Sequence, residues 1–368
     1  MHVVGSSPSK ELKILLGITT LLVVIGLVFI YSSSSAYALS YAHDAAFFVK
    51  KQLLGVLLGI IAAVVCARVP IRVWYRLAPW LFIGAFLLTL LTLVPGLAYR
   101  MHGSSRWVRV AGMSFQPSEL LKWSVVLFIA YVLARKEYLL KHPYRRYLPV
   151  LVVLILVSAL LLKQPDFGLM VTLGATIVAL FFIAYPDWKY VCLVIAAAIP
   201  ALGALIYMEP YRLKRILVFL NPWADPQGAG FQIIQSLIAI GSGGIFGVGI
   251  SHSRQKFFYL PMQHTDFIFS IIAEETGFVG ATFLVLLYLS FLYVGLRMSW
   301  RVSDAFARYV IQGFVLLVSI QAIINIAVAT SLFPTKGIGL PFVSYGNSSL
   351  LASLAMVGVV ASCAANRD

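Results

Sequence analysis

The stretch KILLGITTLLVVIGLVFIYSS, residues 13–33, decides the fold class, because it can cross a lipid bilayer as a single helix. A membrane-spanning helix needs about 20 mostly apolar residues. By that criterion the chain contains about ten such runs, near 13–33, 52–67, 79–96, 118–134, 148–162, 167–185, 190–207, 266–297, 309–330 and 348–363. The 368 residues are 61% hydrophobic and 11% charged, so a soluble domain could not bury their apolar surface. The sequence therefore predicts an all-α, polytopic helical membrane protein with about ten transmembrane helices.

The first run is interpreted as a retained span rather than a cleaved signal peptide. It is long and continues into IYSSSSAYALS (30–40), which contains only a weak match to a cleavage site. With ten spans both termini lie on the same side. Lys and Arg are in excess on that side once the long segment 208–265 is set aside. We therefore expect one membrane domain over residues 1–368, with both termini in the cytoplasm.

Two segments on the extracytoplasmic side, 96–119 and about 208–265, are too long to be simple connectors. Structureless loops of such length are usually functional. Within the second, GFQIIQSLIAIG (230–241) has helix-like apolar spacing, which predicts a helix that lies along the membrane surface or re-enters it. A third connector, SLFPTKGIGLPFVSYGNSS (331–349), precedes the last span and is rich in Pro, Gly and Ser.

Several basic side chains lie on the extracytoplasmic side, where two interpretations stay open. Long loops translocate whatever their charge, or the cations form an anion-binding mouth, since Arg and Lys both recognise phosphate. The candidates for such a mouth are Arg106, Arg109, Arg212, Lys214, Arg215 and Lys336. The net charge of +15 is scattered between spans without an aromatic-interleaved basic patch, which argues against nucleic acid as a partner.

Three acidic motifs lie inside or at the ends of predicted spans, where charge is costly. QPSELLKW places Glu119 and Lys122 on one helix face, either as a structural ion pair or as a functional pair. KQPDFG places Asp166 where it can cap the sixth span. IIAEETG places Glu274 and Glu275 side by side. Because adjacent helical residues cannot both face one cavity, we expect one of the two to pack against a polar partner in a structural role.

The stretch PMQHTDFIFS (261–270) raises a sharper question, because Asp266 stands where a strongly apolar run begins. No cation lies three or four residues away on its own helix. An unpaired, partly desolvated carboxylate has a raised pKa and suits a general base. The alternative is that Asp266 is the N-cap of the eighth helix. The residues alone leave both interpretations open.

Ordered motifs along nearly the whole chain resemble the SEDS family of bacterial cell-wall polymerases, named for shape, elongation, division and sporulation. The matching stretches are SSRWVRV (104–110), FQPSELLK (115–122), KQPDFG (163–168), NPWADPQGAGFQIIQSLIAIGSGGIFGVG (221–249), LPMQHTDFIFSIIAEETGFVG (260–280) and NIAVATSLFPTKGIGLPFVSYGNSSLL (325–351). FPTKGIGLPFVSYG and SRQKFFYLP look more like the division type than the elongation type. Met262 and Asn347 depart from the usual family pattern. They weaken the assignment to the division type but not the resemblance to the family.

The resemblance implies a peptidoglycan glycosyltransferase that uses lipid II on the outer face of the bacterial cytoplasmic membrane, at the division septum. It implies help from Mg²⁺ or another divalent cation, without identifying any metal ligand. It also implies a class B penicillin-binding transpeptidase and single-span division regulators as partners, among membrane lipids. The family's catalytic aspartate corresponds to Asp266. By resemblance or by charge, the candidate substrate-binding residues are Arg106, Trp107, Glu119, Lys122, Arg215, Lys336 and Ser344.

As a hypothesis, Asp266 accepts the proton of a sugar 4-hydroxyl, while Arg106, Arg215 and Lys336 stabilise the departing pyrophosphate. Trp107 either stacks on a sugar or anchors the chain at the interface. A lipid II flippase is the rival function, since ten spans with ionisable groups suit a transporter. The third candidate function is a scaffold that only recruits a partner protein. Within the family, an elongation-type polymerase is the alternative to the division type.

Overall fold

The computed structural model describes residues 9–94, 99–101, 104–110, 113–135, 143–186, 188–256 and 261–365, which form a helical bundle. The first helices are α1 (Ser9–Ala42), α2 (Phe47–Arg68), α3 (Ile71–Leu91), α4 (Pro117–Ala134), α5 (Pro143–Lys163) and α6 (Phe167–Ala184). The later helices are α7 (Trp188–Tyr207), α8 (Pro210–Leu220), α9 (Phe231–Ser242), α10 (Ile268–Ser299), α11 (Ala305–Ala329) and α12 (Asn347–Ala365). The predicted fold class, a polytopic helical membrane protein, is confirmed.

Within the described ranges, eight helices are long and apolar enough to cross a membrane: α1, α2, α3, α4, α6, α10, α11 and α12. The two remaining predicted spans, 148–162 and 190–207, form α5 and α7. The described apolar part of α5, Leu148–Lys163, is shorter than the eight. Many side chains of α7 lie outside the described part of the structure. The predicted total of ten spans is therefore not confirmed.

The first long segment, 96–119, departs from an all-helical chain by forming a small antiparallel sheet. Its strands are β1 (Tyr99–Met101), β2 (Ser104–Val110) and β3 (Met113–Phe115), in that order. Trp107 pairs with Tyr99, and Val108 pairs with Phe115. Valines and Trp favour strands, and the segment is too short and polar to span a membrane. The sheet presents the Arg106–Trp107 pair of the sequence motif.

The second long segment carries α8, a 3₁₀ turn at Pro222–Ala224, and α9. The predicted helix at 230–241 is α9, and it packs into the bundle, where Ile233 and Ser236 are fully buried. The Ser236 hydroxyl lies 2.6 Å from the Ser270 hydroxyl of α10 and donates to the Ala329 carbonyl of α11. Of the two predicted placements, this packing fits a helix that enters the bundle rather than one that rests on its surface.

Helix α10 is interrupted at Gly277, which has φ 67° and ψ −165°. The segment 244–249 lies against this break. The Val248 amide donates to the Glu274 carbonyl (3.0 Å), and the Phe278 amide donates to the Gly244 carbonyl (2.9 Å). Backbone groups inside a membrane must be satisfied within the protein. The glycine-rich turn after α9 therefore replaces the hydrogen bonds that the helix loses at the break.

Both glutamates beside this break are buried and hydrogen-bonded, so the expected packing of one against a polar partner is confirmed and extends to the other. Glu274 accepts from the Arg254 amide at 2.9 Å, and Glu275 accepts from the Ser32 hydroxyl at 2.6 Å. The Lys256 ammonium lies 3.4 Å from the Glu275 carboxylate. The neighbouring carboxylates thus bind the same segment, 253–256.

We expect Lys256→Met to destabilise the folded chain by about 3–5 kcal/mol, because it leaves a buried carboxylate without its cation. The measurement is thermal unfolding in detergent. Lys214→Met is the matched control, since Lys214 pairs with Asp225 at 3.8 Å in an exposed position. An exposed pair contributes about 0–1 kcal/mol. Equal destabilisation by the two substitutions would contradict this interpretation of the Glu275 pair.

Helices α2 and α12 approach closely because small residues line their contact. A side-chain carbon at Gly358 would lie 2.1 Å from the Ala63 carbonyl oxygen, so only glycine fits there. Small residues that let backbones approach are a common means of packing membrane helices. At the start of α12, Gly55 of α2 also lies close to Asn347, so the same pairing of helices holds the end of the 331–346 connector.

Candidate active site

A cavity of about 2080 Å³ opens at the end of the bundle where α2, α4, α6, α10 and α12 begin and α1 ends. Residues from segments far apart in sequence line it, including both long segments and the 331–346 connector. The predicted site residues that line the cavity are Arg106, Trp107, Glu119, Arg215, Asp266, Lys336 and Ser344. Of the predicted site residues, Lys122 does not line the cavity, because its buried side chain pairs with Glu119, which does. The structure thus brings most of the predicted set into one space.

Asp266 lies in the turn that precedes α10, and its side chain does not cap that helix. The N-cap is Phe267, and no side chain makes a capping hydrogen bond there. The N-cap interpretation of Asp266 is therefore wrong. The carboxylate oxygen Oδ2 lies 3.2 Å from the position that a Cβ would take on Gly337, so Asp266 contacts the 331–346 connector directly.

Burial raises the pKa of the Asp266 carboxyl to about 7, against the lowering effect of Arg106 and Arg215. The nearby Asp166 adds to the rise. A carboxyl with a pKa near the working pH can both lose and gain a proton there. Asp266 therefore has the electrostatic character that a general base needs.

Lys336 places a cation in the same cavity, and among the described residues it forms no ion pair with an acid. Its side chain is buried, and its ammonium lies 4.6 Å from the ring centres of Phe167 and Phe333. Among the described residues, no hydrogen-bond acceptor reaches this ammonium. Burial, and secondly Arg215, lower the pKa of Lys336 to about 7, while Asp166 opposes the fall. A buried cation without an acceptor is costly unless an anion joins it.

Arg106 is held against the turn between α5 and α6. Its Nε donates to the Gln164 carbonyl at 3.0 Å, and its guanidinium lies 3.5 Å from the Asp166 carboxylate. Asp166 also accepts from the Leu169 amide at 3.2 Å, which confirms the predicted helix cap. Burial raises the pKa of Asp166, although Arg106 opposes the rise. The ion pair with Arg106 was not predicted, because its partners are 60 residues apart in sequence.

Arg215 joins the second long segment to the lysine-bearing connector. Its guanidinium donates to the Thr335 carbonyl at 2.8 Å, directly before Lys336. Lys214 instead lies near Asp225 at an exposed position and does not line the cavity. The side chains of Arg109 and Arg212 lie outside the described residues. Arg106, Arg215 and Lys336 together are named the cationic wall below.

The predicted Glu119–Lys122 pair forms, with 2.7 Å between the ammonium and the carboxylate. Lys122 is fully buried and donates to Gln321 Oε1 at 3.2 Å, and Gln321 donates in turn to the Gly339 carbonyl at 2.8 Å. Glu119 faces the cavity at one edge of the pair. This geometry favours the structural interpretation, in which the pair supports the connector that carries Lys336.

Polar residues on α11 also hold the connector, and they were not predicted from the sequence. The Asn325 side-chain amide donates to the Asp266 carbonyl at 2.8 Å and to the Ile338 carbonyl at 2.6 Å. Gln321 lies one turn earlier on the same helix face. Two side-chain amides four residues apart in an apolar span are costly in lipid unless they have hydrogen-bond partners. This spacing of Gln321 and Asn325 is the sequence feature that could have predicted their role.

Ser344 ties the connector to the turn that bears Asp266. Its hydroxyl donates to the Thr265 carbonyl at 2.5 Å and accepts from the Leu340 amide at 2.7 Å. Both hydrogen bonds are internal, which favours a positioning role over direct substrate binding. Trp107 is half-buried in the cavity wall, a position compatible with stacking on a sugar.

We expect Asn325→Leu to slow the reaction of this site by about a hundredfold, because a shift of about 1 Å between reacting groups has that effect. Leucine is similar in size but cannot bridge the carbonyls of Asp266 and Ile338. Gln312→Leu on the same helix is the control, since Gln312 bonds Ser299 at the far end of the bundle. Turnover by the purified variants checks this. Equal turnover by both would contradict the bridging role.

Comparison with known proteins agrees with this geometry. The family of cell cycle proteins that comprises FtsW, RodA and SpoVE matches residues 12–368. The chain belongs to the FtsW, RodA and SpoVE family. It is 41% identical over 347 residues to the "Probable peptidoglycan glycosyltransferase FtsW" of Geobacter sp. (strain M18), covering 94% of this chain and 95% of that one. It is 40% identical over 343 residues to the stage V sporulation protein E of Bacillus subtilis (strain 168), covering 93% and 94%.

Solved structures of the FtsW, RodA and SpoVE family share the fold. A chain from a peptidoglycan synthase complex, solved for the coordination of polymerization and crosslinking, superposes with a TM-score of 0.79 at 29% identity, covering 95% of this chain and 96% of that one. The rod shape determining protein RodA of Thermus thermophilus gives 0.68 at 25% identity, with 95% of each chain covered. The family resemblance predicted from the motifs is confirmed.

Proposed function

We propose that this chain polymerises lipid II into glycan strands and releases undecaprenyl pyrophosphate. The single observation that carries the proposal is the cavity in which Asp266 lies against Gly337, next to the cationic wall. Family members that are named peptidoglycan glycosyltransferases support the same reaction class. The match to a sporulation protein leaves the division role, at the septum, as part of the proposal.

In the proposed reaction, Asp266 removes the proton from the 4-hydroxyl of the acceptor sugar. The hydroxyl oxygen then forms a bond to the anomeric carbon of the donor, and the bond from that carbon to the pyrophosphate oxygen breaks. The bonding electrons leave with the pyrophosphate, and the proton stays on Asp266 until solvent accepts it. A carboxyl with a pKa of about 7 can be both an effective base and a group that is regenerated at neutral pH.

The leaving pyrophosphate carries dense negative charge, which the cationic wall is placed to stabilise. Preorganised cations at the site of developing charge provide a large part of the rate enhancement in such reactions. Pyrophosphate leaves without protonation, so one carboxylate suffices where glycosidases use an acid and a base. Lys336 fits this role best, because its ammonium has no acceptor among the described residues.

A divalent cation fits this cavity only together with the substrate. Mg²⁺ is commonly bound by one or two carboxylates and by substrate phosphates, and it retains several waters. Asp166 and Asp266 both line the cavity, while the described residues contain no cluster of three metal-binding side chains. When bound, such an ion would neutralise charge on the phosphates.

We further propose that the chain works with a class B penicillin-binding transpeptidase and with single-span regulators of division. The structural similarity to a chain of a peptidoglycan synthase complex supports the transpeptidase. The proposed placement is the bacterial inner membrane, with both termini in the cytoplasm and the cavity at the outer face. Lipid-linked substrates reach such a cavity from the membrane, so the reaction belongs at that boundary.

The test is synthesis of glycan from labelled lipid II by the purified chain, alone and with its cognate transpeptidase, in detergent or in lipid bilayers. Wild type and the exposed-site control Lys214→Ala should both produce polymer and release pyrophosphate. Translocation of lipid II across vesicles without polymer formation would instead identify a flippase. Absence of polymer in the presence of the partner would refute the proposal.

A further inference from the structure

One wall of the cavity consists of aromatic rings that the proposed reaction does not use. Tyr37 at the end of α1, Phe48 at the start of α2, His264 and Tyr345 form this aromatic wall, and all four line the cavity. The ring centres are 4.6 Å apart for Phe48 and His264, 5.1 Å for Phe48 and Tyr345, and 5.9 Å for Tyr37 and His264. The rings therefore form one continuous surface.

The aromatic wall is not part of the closed hydrophobic core. Phe48 is buried, but the other three rings are half-buried or more exposed, and Tyr37 is 37% exposed. Tyr41 extends the surface, with its ring stacked 5.9 Å from that of Tyr37. A core aromatic ring would be covered on both faces. These rings instead line the cavity, and three of them are partly exposed, which is the position of a binding surface.

The chemistry of this wall fits a sugar. The C–H face of a pyranose ring is apolar and packs on aromatic faces, while its hydroxyls need polar groups at the edges, such as the phenols of Tyr37 and Tyr345. The His264 imidazole adds a flat ring to this surface, next to the rings of Phe48 and Tyr37. Pockets that combine aromatic surface with a few polar groups are typical of small-molecule sites.

The position of the wall favours a sugar over a lipid tail. It adjoins the polar turn between α1 and α2, where the Lys50 ammonium lies 2.7 Å from the Asp44 carboxylate. Leu54 and Leu58 lie about two and three turns farther along α2, at the membrane-spanning part of the helix, and also line the cavity. An alkyl chain would bury its surface against those leucines, away from the ion pair.

Asp266 adjoins both the aromatic wall and the cationic wall. On one side, His264 is two residues before Asp266, and its carbonyl accepts the Tyr345 amide at 2.9 Å. On the other side, the carboxylate contacts Gly337, the residue after Lys336. A base that removes a proton from one substrate while the other loses pyrophosphate must stand between the two.

We propose that the aromatic wall is the subsite for the acceptor sugar, the one that carries the attacking hydroxyl, and that the cationic wall holds the donor's pyrophosphate. This assignment rests on the proposed function and adds the orientation of the two substrates. It predicts that sugar binding and pyrophosphate binding can be weakened separately, by changes on opposite sides of Asp266.

The test measures binding of three probes to the full-length chain in detergent, in an Asp266→Asn background that keeps the shape of the site and slows any reaction. The probes are a water-soluble N-acetylated disaccharide with a free 4-hydroxyl, inorganic pyrophosphate, and a short-chain prenyl phosphate. Tyr37→Ala with Tyr345→Ala should weaken disaccharide binding at least about tenfold, the size expected for the loss of two ring contacts, and leave pyrophosphate binding unchanged. Lys336→Met should do the reverse. Tyr37→Phe with Tyr345→Phe, which keeps both rings, should retain most of the disaccharide binding.

Three results would overturn the assignment. Disaccharide binding that survives the double alanine change removes the aromatic wall as a sugar site. If either variant loses binding of both the disaccharide and pyrophosphate, the two walls are not separate subsites. Weaker binding of a short-chain prenyl phosphate, with the disaccharide unaffected, places the lipid tail there instead. These binding results do not depend on turnover, so they are distinguishable from a failure of the chain to polymerise lipid II.

Discussion

Asp266→Asn should reduce glycan synthesis by about 10²–10⁴-fold, the contribution of a positioned general base. Asparagine keeps the size and shape of the side chain but cannot accept the hydroxyl proton. The contact of this side chain with Gly337 should stay in place, and so should the hydrogen bond from the Asn325 amide to the backbone carbonyl of residue 266. Polymer formed from labelled lipid II, measured over a long incubation, gives the residual rate.

The same substitution should leave the fold intact and stabilise it slightly, because the carboxyl is largely buried and costs energy when charged. Thermal unfolding in detergent checks this and separates a chemical effect from misfolding. Asp225→Asn is the control, because Asp225 carries an exposed carboxylate outside the cavity. Polymer formation by Asp266→Asn at a rate near that of wild type would remove the base assignment.

Lys336→Met should lower the rate by about 10²–10³-fold, the loss expected when one preorganised group that stabilises developing charge is removed. Methionine keeps most of the length and the apolar contacts with Phe167 and Phe333. It also removes a buried cation that lacks an acceptor among the described residues, so the variant should be at least as stable as wild type. Slower turnover with unchanged or higher thermal stability is the expected combination.

The pH dependence gives Lys336 a second test. Its pKa of about 7 means that the free site loses this positive charge as the pH rises through 7. In wild type, kcat/KM should therefore fall on the alkaline side. Lys336→Arg keeps the charge at all accessible pH values, so its alkaline decline should move upward. An identical alkaline decline in both proteins would show that another group causes it.

The sequence predicted the membrane class and most helices, because apolar length alone determines where a chain can cross a bilayer. It did not predict the sheet around Arg106 or the break at Gly277. The sheet needs pairing between short strands, and the break needs the 244–249 segment beside it to replace lost hydrogen bonds. Both depend on partners that local periodicity does not contain.

For the site, the motifs predicted Asp266, Arg106 and Lys336, because charge near lipid is costly and therefore conspicuous. The helix-cap alternative for Asp266 could be excluded only by seeing Phe267 at the cap. The bridging role of Asn325 and the aromatic wall were missed. Aromatic residues are common at membrane interfaces, and only the fold shows that Tyr37 and Tyr345, about 300 residues apart in sequence, both pack near the ring of His264.

The most direct test of the account is the single-turnover rate of glycosidic bond formation as a function of pH, in wild type and in Asp266→Asn. In wild type the rate should rise about tenfold per pH unit below about 7, as the Asp266 carboxyl loses its proton, before any alkaline decline caused by Lys336. In Asp266→Asn the residual rate should be low and should lose this acid limb. A variant that keeps the same acid limb would show that a different group accepts the proton, and the proposed role of Asp266 would be wrong.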